Sequence, residues 1–244
     1  MPELEQKRIT LYAAAVRLAL EEAGAVYDVV WIDLMNKPEW YEREINPDGK
    51  VPVLVYGGPK VHPGEALSAD AVKLTESVVI LEFLADIFPD AHLLPADPVL
   101  RARARLFNAA IEPKLFKPFT DFMYLGGPLE AFLAGLEELQ GMLCPTGFIA
   151  GEWSIADAAF SPILARIMLA LTSDLGTFVS EAAKEALQAF ESPRFARLRQ
   201  YYRAVMARPS MLEEEIRQTT IRRIDRFRKT GVLNNEFRIP VQSV

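Results

Sequence analysis

Lys50-Val51-Pro52-Val53 and, further along, Thr75-Glu76-Ser77 opening the apolar run Val78, Val79, Leu81, Phe83, Leu84 decide how this chain is read. An X-Pro bond between apolar residues at the entrance to a strand is a place for a cis-proline, which would turn Val51 so that its N–H and C=O face outward instead of into a sheet. A bound peptide can then pair with that backbone as an added strand. A helix that begins at Glu76-Ser77 carries free N–H groups and partial positive charge, both favourable to a carboxylate. Ser77 adds a hydroxyl donor and Glu76 an acceptor for an ammonium group. Backbone pairing, a carboxylate pocket and an ammonium acceptor together describe a half-site for a zwitterionic peptide.

Working outward, the patterning predicts a strand over Ile9 to Tyr12, a helix to about Ala23, a strand from Val26 to Asp33, a short helix from Pro38 to Ile45, and a strand from Val53 to Tyr56. The Gly- and Pro-rich stretch 57–70 reads as a turn and inserted loop, and Val72-Lys73-Leu74 returns as an edge strand into the Glu76 helix. This βαβ-α-ββα order is the thioredoxin arrangement. Phe88-Pro89-Asp90 stops that helix, and the prolines of 93–98 punctuate a linker. From Val99 onward only helices are expected, over 99–123, 129–143, 154–171, 181–190, 192–207 and 210–229. Pro113 and Pro118 should bend the first of these.

At these residues the chain resembles the soluble glutathione transferases. The resemblance rests on Ile9-Thr10-Leu11-Tyr12, the helix from Val16 to Ala23, Asn46-Pro47 with Lys50-Val51-Pro52-Val53-Leu54, Leu74-Thr75-Glu76-Ser77, and residues 147–157 ending in Ser154-Ile155-Ala156-Asp157. Asn36-Lys37-Pro38-Glu39-Trp40-Tyr41 and the Lys-Val-Pro form resemble the omega-type branch and its fungal serine- or cysteine-type relatives. The resemblance implies the glutathione transferase fold: an α/β thioredoxin-like, glutathione-binding domain over 1–90, a linker at 91–97, and an all-α domain over 98–244. It also implies glutathione as co-substrate, held by Lys50, Val51, Pro52, Glu76 and Ser77, and a homodimer. Ser154 and Asp157 have the spacing of a capping box, with Trp153 placed to staple it, and are expected to serve folding.

In this family the connection between the first strand and first helix carries a Ser, Cys or Tyr aimed at the glutathione sulfur. Here the chain runs Leu11-Tyr12-Ala13-Ala14-Ala15-Val16, with neither thiol nor hydroxyl after Tyr12. A free thiol titrates at about 8.5, so thiolate near neutrality needs a hydrogen-bond donor and a helix N-terminus. Two readings stay open. A segment carrying Ser or Cys has been lost between Tyr12 and Val16, which is the expectation adopted, or the connection is truly short and the protein binds glutathione without activating it. Continuous Cα spacing of about 3.8 Å across these residues is the discriminating geometry. The catalytic residue is therefore unassigned. Tyr12 is a weak substitute, since a tyrosine in an alternating strand is more often buried structure.

The remaining candidates carry less. Cys144, the sole cysteine, excludes an internal disulfide and reads as a small buried hydrophobe. His62 and His92 have no partners at metal-ligand spacing, so no metal is expected. Phe116, Phe119 and Met123, with Phe122 and Tyr124, exceed what a narrow apolar stripe needs and are candidates for a pocket taking hydrophobic or phenolic small molecules. Packing within the helical core is the competing reading. The net charge of -6 argues against nucleic acid, and the basic run from Arg217 to Lys229 reads as a solvated face with Ile221, Ile224 and Phe227 turned inward. The charged start Met1 to Arg8 and the lack of roughly 18 uninterrupted apolar residues predict neither signal nor membrane span, hence a cytoplasmic setting. The functional expectation is a transferase that conjugates glutathione to, or removes it from, small apolar or phenolic electrophiles; a non-catalytic, ligandin-type carrier of hydrophobic molecules is the alternative.

Overall fold

A computed structural model describes the chain except residues 1–6, 13–15, 34–35, 174, 176–177, 179, 212, 235–236 and 239–244, and it divides into two compact units, one over residues 1–93 with 234–237 and the other over 94–233 with 238–244. In the first unit β1 (Ile9–Tyr12), α1 (Arg17–Glu22), β2 (Tyr27–Val30), β3 (Val53–Tyr56), β4 (Val72–Leu74) and α2 (Ser77–Ile87) follow in order. The sheet has the strand order β2-β1-β3-β4, parallel between β1 and β2 and antiparallel elsewhere. This is the thioredoxin-like arrangement that the strand pattern predicts. β2 is shorter than expected because it pairs only with the four residues of β1, and Val26 beyond the ladder is 83% exposed.

Alternation along β3 explains its two-sided burial. Val53 and Val55 join Ile32, Tyr41 and Ile45 in one apolar cluster, while Leu54, pointing to the other face, is also fully buried. Tyr41 and Ile45 belong to a single π-helical turn (Tyr41–Ile45) where a short helix is expected. Its buried face makes it the platform under the stretch that leads into β3.

The second unit is helical: α3 (Pro98–Ile111), α4 (Lys117–Leu125), α5 (Leu129–Met142), α6 (Ile155–Thr172), α7 (Ser180–Glu191), α8 (Ala196–Met206) and α9 (Glu213–Thr230). The helix expected over 99–123 is interrupted by a π-helical segment at Glu112–Phe116 that contains Pro113. Proline lacks the N–H that a regular ladder needs there, so the turn widens. Gly135 of α5 permits the close fit of that segment, since a Cβ there would stand 2.0 Å from the Lys114 carbonyl oxygen. α6 is the central element, packed against α3, α7, α8 and α9. By length and composition it is apolar enough to cross a membrane, yet most of it lies inside this unit's own core. Two short strands that the sequence reading did not anticipate, β5 (Val232–Asn234) and β6 (Phe237–Arg238), pair with each other. Gly231 and the Asn-Asn pair at 234–235, which starts on the last residue of β5, were the available turn signal.

Candidate functional site

The strand register brings the two decisive stretches together. β3 and β4 are antiparallel with Leu54 opposite Leu74. Val51 lies three residues before Leu54 and Ser77 three residues after Leu74, so both leave the ladder at the same end of the sheet. Tyr12 sits opposite Val53, which places the C-terminal end of β1 at that end too. The Tyr12 side chain and residues 13–15, where the activating group and the chain spacing were in question, lie outside the described residues.

The Val51-Pro52 peptide is cis, as expected. Val51 and Pro52 are half-buried and Lys50 is exposed. Among the described residues neither the N–H nor the C=O of Val51 has a backbone partner. The carbonyl of Lys50, one residue earlier, is fixed twice: the Tyr41 hydroxyl donates to it at 2.7 Å and Asn46 Nδ2 at 2.8 Å. Both donors are buried. Gly49, at φ 64°, makes the preceding turn, and a Cβ there would come within 2.1 Å of Lys37 Nζ. A buried clamp thus holds the segment, leaving the main chain of Val51 available for an added strand.

Across from it, Glu76 stands at φ 64° and ψ 112°, a conformation that costs a non-glycine residue on the order of 1–3 kcal/mol. It is the N-cap residue of α2, but its side chain caps nothing. The first helical N–H groups, from Ser77 on, therefore remain for a ligand. Glu76 is exposed and Ser77 half-buried. Outward N–H groups with the positive end of the helix dipole suit a carboxylate, and the Glu76 carboxylate beside them suits an ammonium group.

The other candidates are distributed differently. Phe119 and Met123 pack into the core of the second unit, Phe119 tilted against Phe132 at 5.8 Å, with Met123 1% exposed; Phe116 is half-buried. Phe122 stacks on Phe132 and Phe178, so much of the aromatic surplus is used in packing. Cys144 is half-buried; its N–H donates to the Ile149 carbonyl and its own carbonyl accepts from Arg197 Nε at 2.7 Å. His62 and His92 are exposed, and among the described residues no group of three His, Cys, Asp or Glu side chains could hold a metal ion. The residues that sequence reasoning missed are Tyr41 and Asn46, which it saw only as family motif letters; a distant carbonyl acceptor leaves no periodic signal.

With that geometry in place, comparison with known proteins is informative. The family model described as "Glutathione S-transferase, N-terminal domain" matches residues 11–87. The crystal structure of glutathione transferase Omega 2S from Trametes versicolor is 44% identical, covers 88% of this chain and 96% of that one, and superposes with a TM-score of 0.81. The same transferase in complex with 2,4-dihydroxybenzophenone is 43% identical over 93% of this chain and 99% of that one, with a TM-score of 0.80. A probable cytosolic rice transferase, DHAR1, is 30% identical over 70% of this chain and 72% of its own length. Pyrimidodiazepine synthase of Drosophila melanogaster is 33% identical over 61% of this chain, which spans only 57% of that enzyme. The chain belongs to the glutathione transferase family, within its omega-like branch.

Proposed function

We propose that the protein binds glutathione at the end of the β3–β4 ladder and transfers it to, or removes it from, small apolar or phenolic electrophiles. The register that puts Val51 and Ser77 at one edge carries this reading. In it the cysteinyl part of glutathione pairs with the Val51 main chain, the γ-glutamyl carboxylate sits on the α2 N-terminus at Ser77, and the γ-glutamyl ammonium group meets Glu76. Lys50 and Pro52 frame that segment. Residues 1–90 supply this half-site, 91–97 link, and 98–244 supply the second-substrate surface, with the half-buried Phe116 and Phe119 assigned to it, while Met123, 1% exposed, is kept to the core of that unit. The dihydroxybenzophenone complex of the Trametes relative supports a phenolic class of ligand. The exposed edge strand at Val72 and the exposed Val78 and Val79 of α2 support a homodimer, and the cytosolic rice relative supports a cytoplasmic setting.

The chemistry at the sulfur turns on one group. A Ser hydroxyl beside the first strand would donate to the thiolate and favour conjugation, whereas a Cys would form a mixed disulfide with glutathione and favour its removal from a substrate. The run Ala13-Ala14-Ala15 favours the second reading, a carrier that binds glutathione and apolar ligands with little turnover. An intact-mass measurement beside a conjugation assay separates the two, since loss of one preorganised donor costs on the order of 10²-fold or more in rate.

Calorimetry tests the half-site itself. Ser77→Ala is expected to weaken glutathione binding by about 1.5–3 kcal/mol, the worth of a hydrogen bond to a charged group. An unchanged affinity would overturn the assignment.

A further inference from the structure

The two donors on the Lys50 carbonyl come from one wide turn. The Asn46 N–H closes back on the Tyr41 carbonyl, five residues earlier, at 2.9 Å. From that turn the Tyr41 hydroxyl and Asn46 Nδ2 reach the same acceptor, at 2.7 Å and 2.8 Å. Each donor is held from behind. Tyr41 is fully buried in the cluster of Ile32, Ile45, Val53 and Val55, and its ring meets Trp40 edge-on at 6.0 Å. Trp40 is backed in turn by Gly64 of the 57–70 stretch, at φ 95°, where a Cβ would stand 3.5 Å from the indole. Asn46 is fixed at its other amide atom, since its Oδ1 accepts from the Asp48 N–H at 3.2 Å.

One hydrogen bond would satisfy a buried carbonyl, whereas two occupy both its lone pairs and fix its direction. The consequence reaches Val51. The Lys50–Val51 peptide bond is trans and planar, so the Lys50 C=O and the Val51 N–H lie in one plane and point in opposite directions. A carbonyl tied inward by Tyr41 and Asn46 therefore aims the Val51 N–H outward, and among the described residues that N–H has no backbone partner. Rotation of this peptide plane is the motion that would misdirect the N–H, and both bonds oppose it.

We propose that Tyr41 and Asn46 are positioning residues for the co-substrate: they touch no ligand, and they set the direction of the Val51 N–H, which donates to the cysteinyl carbonyl of glutathione. The inference rests on the glutathione reading above, with the cysteinyl residue and Val51 exchanging N–H and C=O as an antiparallel pair does. γ-Glutamylcysteamine keeps the γ-glutamyl group and the thiol but lacks the cysteinyl carbonyl and the glycine, so it separates the positioning role from general loosening. In calorimetry on the full chain, Tyr41→Phe should weaken glutathione about three- to tenfold, on the scale of one hydrogen bond, and leave γ-glutamylcysteamine within about twofold. In amide NMR spectra, the downfield shift of the Val51 N–H at saturating glutathione should shrink in the same variant. If Tyr41→Phe fails to fold, Asn46→Asp, which keeps the acceptor for Asp48 and removes the donor to Lys50, decides by the same readings. Equal weakening of both ligands, an unchanged Val51 shift, or unchanged glutathione affinity beside a loss in Ser77→Ala would each overturn the proposal and leave the glutathione reading standing. A wild-type protein that binds neither ligand would overturn both.

Discussion

Two helix N-termini in this molecule are built in opposite ways, and the contrast separates structure from function. At α6, Ser154 caps from extended backbone at φ −152° and ψ 178°, and Asp157 returns to accept from the Ser154 N–H at 2.8 Å, the Ser154 hydroxyl at 3.0 Å and the Ile149 N–H at 3.1 Å. Ser154 and Asp157 are fully buried. At α2, Glu76 holds a disfavoured positive φ, offers no side-chain cap, and leaves the helix end to solvent. A buried end must satisfy its N–H groups internally, because an orphaned buried donor costs about 1–3 kcal/mol. An exposed end can leave them to water and, when present, to an anion.

The largest expected effect comes from breaking the closed end. Asp157→Ala strands the N–H groups of Ile149 and Ser154 in the core and empties a cavity beside the central helix, for a loss of about 3–5 kcal/mol in urea denaturation. That is above the usual worth of an N-cap, about 0.5–2 kcal/mol, since the cap here is buried. The open end should respond the other way round. Ser77→Ala, which weakens glutathione binding, should leave folding stability within about 0.5 kcal/mol, as surface substitutions do. If the two variants traded these outcomes, the contrast between the termini would be wrong.

What was legible in the sequence follows the same division. The sheet, the cis Val51-Pro52 bond and the capping box are announced by local signals: period-two alternation, a proline before a strand, and Ser with Asp three residues on. The β3–β4 register was not announced in this way, since Val72 and Lys73 of β4 are exposed and only Leu74 is half-buried. Signals carried by tertiary contact were not legible either. Nothing near Tyr41 or Asn46 says that both donate to the Lys50 carbonyl. The π-helical segment at Glu112–Phe116 was half legible: Pro113 foretold a bend, but its form depends on the close approach of Gly135.

A pH measurement sharpens the comparison further. Burial pushes the Asp157 carboxyl up to about 6, against the opposing hydrogen bonds of Ile149 and Ser154, whereas an unfolded aspartate titrates near 3.9. The folded state therefore binds the extra proton between these values. The stability this group contributes is complete below about pH 4 and is lost as pH rises through about 6, a change of about 3 kcal/mol for two pKa units. Asp28, held low chiefly by its hydrogen bond from Lys60, works in the opposite direction, so the difference between wild type and Asp157→Asn is the quantity to follow. That difference should shift in favour of the Asn variant between pH 4 and pH 7. A difference independent of pH would show that the buried carboxyl is already ionised at pH 4.

The smallest effect tests whether the strain at Glu76 belongs to function. Relief of a positive φ by glycine returns part of about 1–3 kcal/mol, and the greater chain entropy of glycine takes back about 0.5–1 kcal/mol. Glu76→Gly should then leave stability unchanged or raise it by up to about 1 kcal/mol. Glutathione affinity should fall in the same variant, because the ammonium acceptor is gone. Glu76→Gln separates the two contributions, since it keeps the Cβ and the strain while removing the charge; its affinity should drop with stability untouched. A fall in stability for Glu76→Gly, or an affinity that survives both changes, would mean that the backbone at this open terminus is held for packing reasons, and the functional half of the contrast with Ser154 would fail there.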